Sequence, residues 1–197
     1  MRWSPVRLRE QISDPEDLEV TVPVSRLNHA VLYVRDVART REFYEQVLGF
    51  RTLTYVPGRV AFFQAPGSTN DHDLGTFQIG DGAAPSTVRR SSVGLYHLAW
   101  EVDTLAELQR IAGLLQERGA LVGASDHATT KALYAVDPDG LEFEVCWLVP
   151  ADRITPELLT GRAGIQPLDL PAEIERYGAQ TLGGVGVSVP APVSAPV

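Results

Sequence analysis

Two of the four histidines in the 197 residues stand at matching places in a repeated pattern. His29 and His97 each follow a short apolar-polar start, 68 residues apart, and each precedes a β-branched or aromatic run. A later alternating run, from 141 to 149, carries Glu142 and Glu144 on one face and large apolar residues on the other. Two imidazoles and one carboxylate form the ligand set that leaves three positions open on non-heme Fe(II). We therefore expect each residue at the centre of a strand, with the three strands meeting at one metal pocket.

These residues also have structural explanations. A histidine in a strand is often only a hydrogen-bonded structural residue, and Glu142 and Glu144 could form the solvent face of an edge strand. A central carboxylate that is buried without a partner would, however, be costly. Because chance seldom places a histidine in the same slot of two related segments, the repeat favours the metal site.

The elements that must position these residues occur in the same order twice. The first set has a helix that Asp36 caps and Gly49 ends, and its ranges are strand 26–34, helix 37–48 and strands 50–56, 59–65 and 74–79. The second set comprises strand 94–102, a helix to about 118 and strands 121–125, 131–137 and 141–149. The sequence thus predicts an α+β fold of two tandem βαβββ modules.

The domain boundaries follow from the limits of this repeat. The modules cover about 25–82 and 94–149 of one domain, 25–150. Residues 1–24 form a charged, proline-punctuated N-terminal arm. Residues 151–197 form a C-terminal extension and tail, in which 154–159 and 171–177 are candidate short helices and 183–197 a flexible end.

Composition excludes several functions. The formal charge of −8, with no basic stripe, argues against a nucleic-acid partner. A single cysteine, Cys146, permits neither an internal disulfide nor a cysteine-based zinc cluster. No apolar run approaches the length of a membrane span, and the first ten residues lack the apolar core of a signal peptide. A cytoplasmic protein with no membrane partner is expected.

The paired modules, the histidine at the start of each and the closing Asp-Pro-Asp-Gly-Leu-Glu-Phe-Glu resemble the vicinal oxygen chelate superfamily. That superfamily includes glyoxalase I, fosfomycin-resistance enzymes and type I extradiol ring-cleaving dioxygenases. The resemblance covers about 25–149 and implies curled sheets with a metal in the cup between them. It selects Glu144 over Glu142, so the implied ligands are His29, His97 and Glu144.

Other positions distinguish the chemistries within the superfamily. Glyoxalase I usually has a fourth ligand on the last strand of its first module, where Gln78 is the only plausible candidate here. Extradiol enzymes instead have one histidine near the start of that strand, another before the penultimate strand, and a tyrosine three residues ahead of the Asp-Pro turn. The corresponding residues are His72, His127 and Tyr134, although a solvated loop and a core aromatic remain alternative explanations for His72 and Tyr134.

The leading hypothesis is an extradiol dioxygenase of aromatic hydrocarbon catabolism, which uses Fe(II) to insert O2 into a small aromatic diol of catechol type. The resemblance gives His72 an acid/base role and gives His127 and Tyr134 hydrogen bonds to the substrate. Candidate residues for the aromatic slot are Tyr33, Phe62 and Phe63.

Two alternatives stay open at this point. One is a non-oxidative lyase, isomerase or thiol transferase of glyoxalase or fosfomycin-resistance type, using Mn(II), Ni(II) or Zn(II). The other is a metal-free binding protein of bleomycin-resistance type. Small members of the superfamily often dimerise, so a homodimer is one of the oligomeric states to consider.

Overall fold

A computed structural model describes residues 24, 26–86 and 93–184. The predicted N-terminal arm lies outside the described residues except for Val24, as does the predicted flexible end beyond 184.

The first module contains one helix and a four-stranded sheet. Its elements are β1 (Ala30–Val34), α1 (Val37–Leu48), β2 (Arg51–Val56), β3 (Val60–Gln64) and β4 (Leu74–Gln78). The strand order is β1-β4-β3-β2, with β1 parallel to β4 and the other pairs antiparallel. The Asp36 side chain accepts hydrogen bonds from the first turn of α1, and Gly49 ends the helix at a φ of 70°. Both helix boundaries are where the sequence predicts them.

The second module repeats this order. Its elements are β5 (Leu98–Glu101), α2 (Leu105–Glu117), β6 (Leu121–Asp126), β7 (Thr130–Val136) and β8 (Glu142–Leu148). The strands are ordered β5-β8-β7-β6, and β5 runs parallel to β8. The α+β prediction is thereby confirmed.

The core lies between the helices and one face of each sheet. Phe63, Leu74, Val145 and Trp147 are fully buried on the helix-facing sides of their strands. The modules also meet through their helices: Arg118 donates to Gln46 Oε1 at 2.7 Å, and Arg110 donates to the carbonyl of Val47 at 3.3 Å. Because the helices cover one side, the opposite sheet faces are left for a site.

A C-terminal extension packs on the second module. After a 3-10 turn (Ala151–Arg153) it forms α3 (Pro156–Gly161), β9 (Gln166–Pro167) and α4 (Leu170–Tyr177). β9 pairs with β6 as a fifth strand, and the Tyr177 ring lies 5.4 Å from that of Trp147. None of the helices in the described ranges is long and apolar enough to cross a membrane.

Candidate functional site

The three predicted ligands do not all lie at strand centres. Glu144 is central in β8, as predicted, but His29 and His97 each lie one residue before their strand. β1 and β5 are edge strands that begin only where pairing with a parallel partner begins, at Ala30 and Leu98. The predicted strands 26–34 and 94–102 are therefore too long. Both histidines lie immediately before the first paired residue of their strand.

The strand register shows which residue in module one corresponds to Glu144. Val31 pairs with Gly75, and Ala99 pairs with Glu144. Since Val31 and Ala99 each follow their histidine by two residues, Gly75 is the counterpart of Glu144. A Cβ at Gly75 would lie 3.0 Å from Phe62 Cε1, so a ring occupies the space that a side chain would need. Module one therefore supplies no ligand at this symmetry-related position.

The Gln78 side chain points to the start of α1, so its prediction as a candidate fourth ligand is wrong. Its Oε1 accepts a hydrogen bond from the backbone N–H of Val37 at 3.1 Å. Val37 is the first residue of α1, where backbone N–H groups have no partner within the helix. Gln78 therefore caps a helix on the core side of the sheet.

The second module holds two of the predicted ligands in contact. His97 Nε2 lies 3.2 Å from Glu144 Oε2, and their side chains are 24% and 13% exposed. The other ring nitrogen of His97, Nδ1, is buried and has no hydrogen-bond partner among the described residues. An imidazole with an unpaired buried nitrogen beside a shielded carboxylate is a suitable pair of donors for a divalent cation.

Tyr134 and His127 adjoin this pair. Tyr134 is the cross-strand partner of Glu144, and its ring centroid is 5.9 Å from that of His97. His127 Nε2 lies 3.0 Å from the Tyr134 hydroxyl. Burial raises the pKa of Tyr134 above its usual value, although a hydrogen bond from Ser125 opposes the rise. The phenol therefore keeps its proton at neutral pH and can donate a hydrogen bond.

Ser125 is a site residue that the sequence analysis missed. Its Oγ lies 2.8 Å from His127 Nε2 and donates a hydrogen bond to the Tyr134 hydroxyl at 3.2 Å. Ser125, His127 and Tyr134 therefore form one hydrogen-bonded network. Ser125 pairs with Ala132 on β7, two residues from Tyr134 and hence on the same face, and only this pairing places it beside Tyr134.

The first module supplies a smaller cluster. The His29 and His72 rings lie 4.3 Å apart, and Phe62 packs edge-on to His72 at 5.1 Å. His72 Nδ1 faces Asp71 Oδ2 at 2.8 Å, and His29 Nδ1 faces Asn28 Oδ1 at 2.7 Å. The predicted acid/base histidine therefore lies beside a predicted ligand.

The six predicted residues thus form two clusters. In the described part of the chain, no three His, Cys, Asp or Glu side chains lie close enough together to hold a metal ion. His29 and His72 belong to module one, whereas the other four belong to module two. The donor types fit a divalent metal, with two donors adjacent and the third on the other module.

Two of the residues predicted to line the aromatic slot differ sharply in exposure. Phe63 is fully buried against Tyr44, at 6.1 Å between ring centroids, so its assignment to the substrate slot is wrong. Tyr33 lies on the other face of the sheet, together with Phe62, and is 71% exposed.

Cys146, on the same face of β8 as Glu144, is buried, and this burial raises the pKa of its thiol to about 12.

Comparisons with known proteins agree with this fold. A family model described as the Glyoxalase/Bleomycin resistance protein/Dioxygenase superfamily matches residues 26–145. A catechol-2,3-dioxygenase of Bacillus subtilis (strain 168) is 32% identical over 121 residues, which are 61% of this chain and 41% of that protein. Metapyrocatechase 2 of Cupriavidus necator is 29% identical over 98 residues, which are 50% of this chain and 27% of that protein. The chain spans less than half the length of these two relatives.

Solved structures agree as well. A glyoxalase/dioxygenase from Nostoc punctiforme superposes with a TM-score of 0.52 at 25% identity, covering 69% of this chain and 95% of that one. A glyoxylase/bleomycin resistance protein/dioxygenase domain from Frankia sp. EAN1pec gives 0.53 at 23% identity, covering 63% and 92%.

Proposed function

The chain belongs to the Glyoxalase/Bleomycin resistance protein/Dioxygenase superfamily, and from that premise we propose that it is an Fe(II)-dependent extradiol dioxygenase. Its substrates would be O2 and a small aromatic diol of catechol type. The observation that carries the proposal is the hydrogen-bonded network of His127, Ser125 and Tyr134 beside the His97–Glu144 pair. The relatives named catechol-2,3-dioxygenase and metapyrocatechase 2 support it.

His29, His97 and Glu144 would hold the metal. When bound, Fe(II) would supply the Lewis acidity that makes a catechol hydroxyl acidic and the redox chemistry that O2 requires. Gly75 occupies the position in module one that corresponds to Glu144, and as a glycine it provides no fourth ligand there. A three-ligand set leaves room for a bidentate diol and O2, whereas glyoxalase-type chemistry usually employs a fourth protein ligand.

The remaining polar residues would handle the substrate's oxygens and protons. The Tyr134 hydroxyl and the His127 imidazole form one hydrogen-bonded unit, which would bind a substrate oxygen and shift a proton within the network. On the other side, the Nδ1 of His72 faces Asp71, which leaves Nε2 to exchange a proton with the substrate. The two clusters would thus act on opposite sides of one diol.

Apolar side chains offer a surface for the aromatic ring. Val31, Tyr33 and Phe77 are 51%, 71% and 39% exposed on the face of module one that also carries Phe62. Exposed apolar surface rimmed by polar groups is typical of a ligand site. A planar, mostly apolar diol suits this surface better than a highly charged substrate.

The test is turnover by protein that has been purified and loaded with Fe(II) without oxygen. We expect stoichiometric iron, consumption of one O2 per catechol and a yellow ring-opened product with at least one member of a catechol panel. The Glu144→Gln variant should lose both iron and product. Stoichiometric iron without product across the panel would refute the proposal.

The same preparation separates the alternatives. Turnover of a non-oxidative substrate without oxygen, with Mn(II), Ni(II) or Zn(II) in place of iron, would indicate a lyase, isomerase or transferase. Absence of stoichiometric metal from every preparation would indicate a binding protein.

A further inference from the structure

The loop that carries His127 has an unusual backbone. It joins β6 to β7, and Ala128 in it has a φ of 64°, the only positive φ of a non-glycine residue in the described ranges. Two backbone hydrogen bonds close the loop, from His127 N–H to the Thr130 carbonyl at 2.9 Å and from Thr129 N–H to the His127 carbonyl at 2.8 Å. A left-handed alanine costs on the order of 1 kcal/mol, so surrounding contacts must hold it.

One of these contacts is a buried ion network. Asp126 Oδ1 accepts hydrogen bonds from Ala128 N–H and from Lys131 Nζ, each at 2.7 Å. The Lys131 side chain is completely buried, and its Nζ also lies 2.9 Å from Glu173 Oε2. Glu173 belongs to α4 and is 12% exposed. The left-handed loop is therefore linked through one ammonium group to the C-terminal extension.

A second contact comes from the end of α3. Arg162 Nε donates to Thr129 Oγ1 at 2.9 Å. Gly161 approaches so closely that a Cβ there would lie 3.1 Å from the Cβ of Ala128. In addition, Gln166 of β9 pairs with Asp126, the residue before His127. The extension therefore contacts the loop at Asp126, Ala128 and Thr129, on both sides of the histidine.

We propose that this C-terminal extension, which lies outside the residues matched by the family model, positions His127 against Tyr134 and Ser125. Arg162 and Glu173 are the positioning residues, and they act through the loop without touching the substrate. The effect on catalysis rests on the proposed function, whereas the effect on the His127 ring does not.

The chemistry of the network indicates which substitution separates positioning from folding. Glu173→Gln removes one carboxylate from a buried set of two carboxylates and one ammonium, so the Asp126–Lys131 pair stays intact. Arg162→Ala removes an exposed side chain and one hydrogen bond, so little stability should be lost. Lys131→Met would instead take the buried ammonium from both carboxylates and strongly destabilise the region.

The first experiment reads the histidine ring directly. In protein with 15N-labelled histidine, the four imidazoles give few signals, and a His127→Asn variant assigns one set. We expect Arg162→Ala and Glu173→Gln to shift the His127 ring signals and to leave those of His29 and His72 in place. Glu175→Gln, an exposed change on the same helix, should move none of them. Unmoved His127 signals in both variants would overturn the proposal, whether or not the protein is a dioxygenase.

The second experiment is a double-mutant cycle on catechol turnover. Arg162→Ala should lower kcat/KM by about tenfold, since small misplacements of a catalytic group are costly. In a His127→Ala background the same change should have no further effect, and Arg162→Lys should recover part of the loss. An equal loss in both backgrounds would contradict a route through His127.

Discussion

Asp139 and Arg35 join the two modules through two hydrogen bonds. Arg35 Nη1 lies 3.0 Å from Asp139 Oδ1, and the backbone N–H of Arg35 donates to Oδ2 at 2.9 Å. Arg39 adds a contact to Oδ1 at 2.8 Å. Arg35 directly follows β1, and Asp139 lies in the turn before β8. The pair therefore ties the strand that begins after His29 to the strand that carries Glu144.

Loss of this connection should lower the stability of the fold. The Asp139 side chain is only 5% exposed, whereas those of Arg35 and Arg39 are 22% and 51% exposed. Asp139→Ala should therefore lower the free energy of unfolding by about 2 kcal/mol, less than a fully buried pair would. Urea unfolding measures this, and Asp81→Ala, an exposed change, is the control with under about 0.5 kcal/mol. Equal unfolding midpoints for the two variants would contradict the prediction.

Metal affinity should depend on residues from both modules. Removing one of three ligands, by His29→Ala, His97→Ala or Glu144→Gln, should weaken Mn(II) binding by about 100-fold or more in anaerobic titration calorimetry. The matched control is Cys146→Ala, on the same face of β8, because a buried thiol with a pKa of about 12 stays neutral and binds metal weakly. Unchanged affinity in His29→Ala would restrict the ligands to module two.

The Tyr134 hydroxyl should matter for turnover and not for metal content. Tyr134→Phe removes the partner of both His127 and Ser125 while the ring beside His97 remains. We expect kcat/KM for catechol to fall by about 100-fold with iron content unchanged. Tyr55→Phe removes a hydroxyl from a ring that Arg41 covers at 4.3 Å on β2, at the sheet edge opposite β1, and should alter turnover less than about twofold. A similar effect from both variants would show that the Tyr134 network is not used.

The parts of the fold that depend on local chemistry could be predicted from the sequence. Asp36 and Gly49 delimit a helix because the cap and the left-handed stop are properties of those residues. The position of His29 before β1 could not be predicted in this way, because a parallel partner distant in sequence decides where an edge strand starts. The core position of Phe63 likewise follows from its pairing with Leu74 on β4, whose side chain is also fully buried.

Long-range pairing also hid part of the candidate site. Lys131 reads in the sequence as one charge within an apolar strand, yet it is buried between carboxylates on β6 and α4. Gly75 gains meaning only when its pairing with Val31 is set beside the pairing of Ala99 with Glu144. Ser125 can be recognised as a site residue only once the pairing of β6 with β7 places it beside Tyr134.

The turn before β8 should give the protein a measurable pH dependence. Burial raises the pKa of Asp137 from 3.8 to about 6, although backbone N–H donors from Leu141 and Asp139 oppose the rise. Both donate to Oδ1, while Oδ2 is buried without a partner among the described residues. Because the folded state binds this proton more tightly than the unfolded state, the stabilisation is complete below about pH 4 and is lost as the pH rises through about 6.

Asp137→Asn tests this dependence because an amide keeps the Oδ1 acceptor and cannot ionise. Between about pH 4.5 and about pH 7.5, the wild-type free energy of unfolding should fall relative to that of the variant by about 2 kcal/mol. Urea unfolding at the two pH values measures the difference, and other titrating groups cancel because both proteins share them. Parallel pH profiles for the two proteins would mean that Asp137 ionises in the folded protein as it does in the unfolded chain.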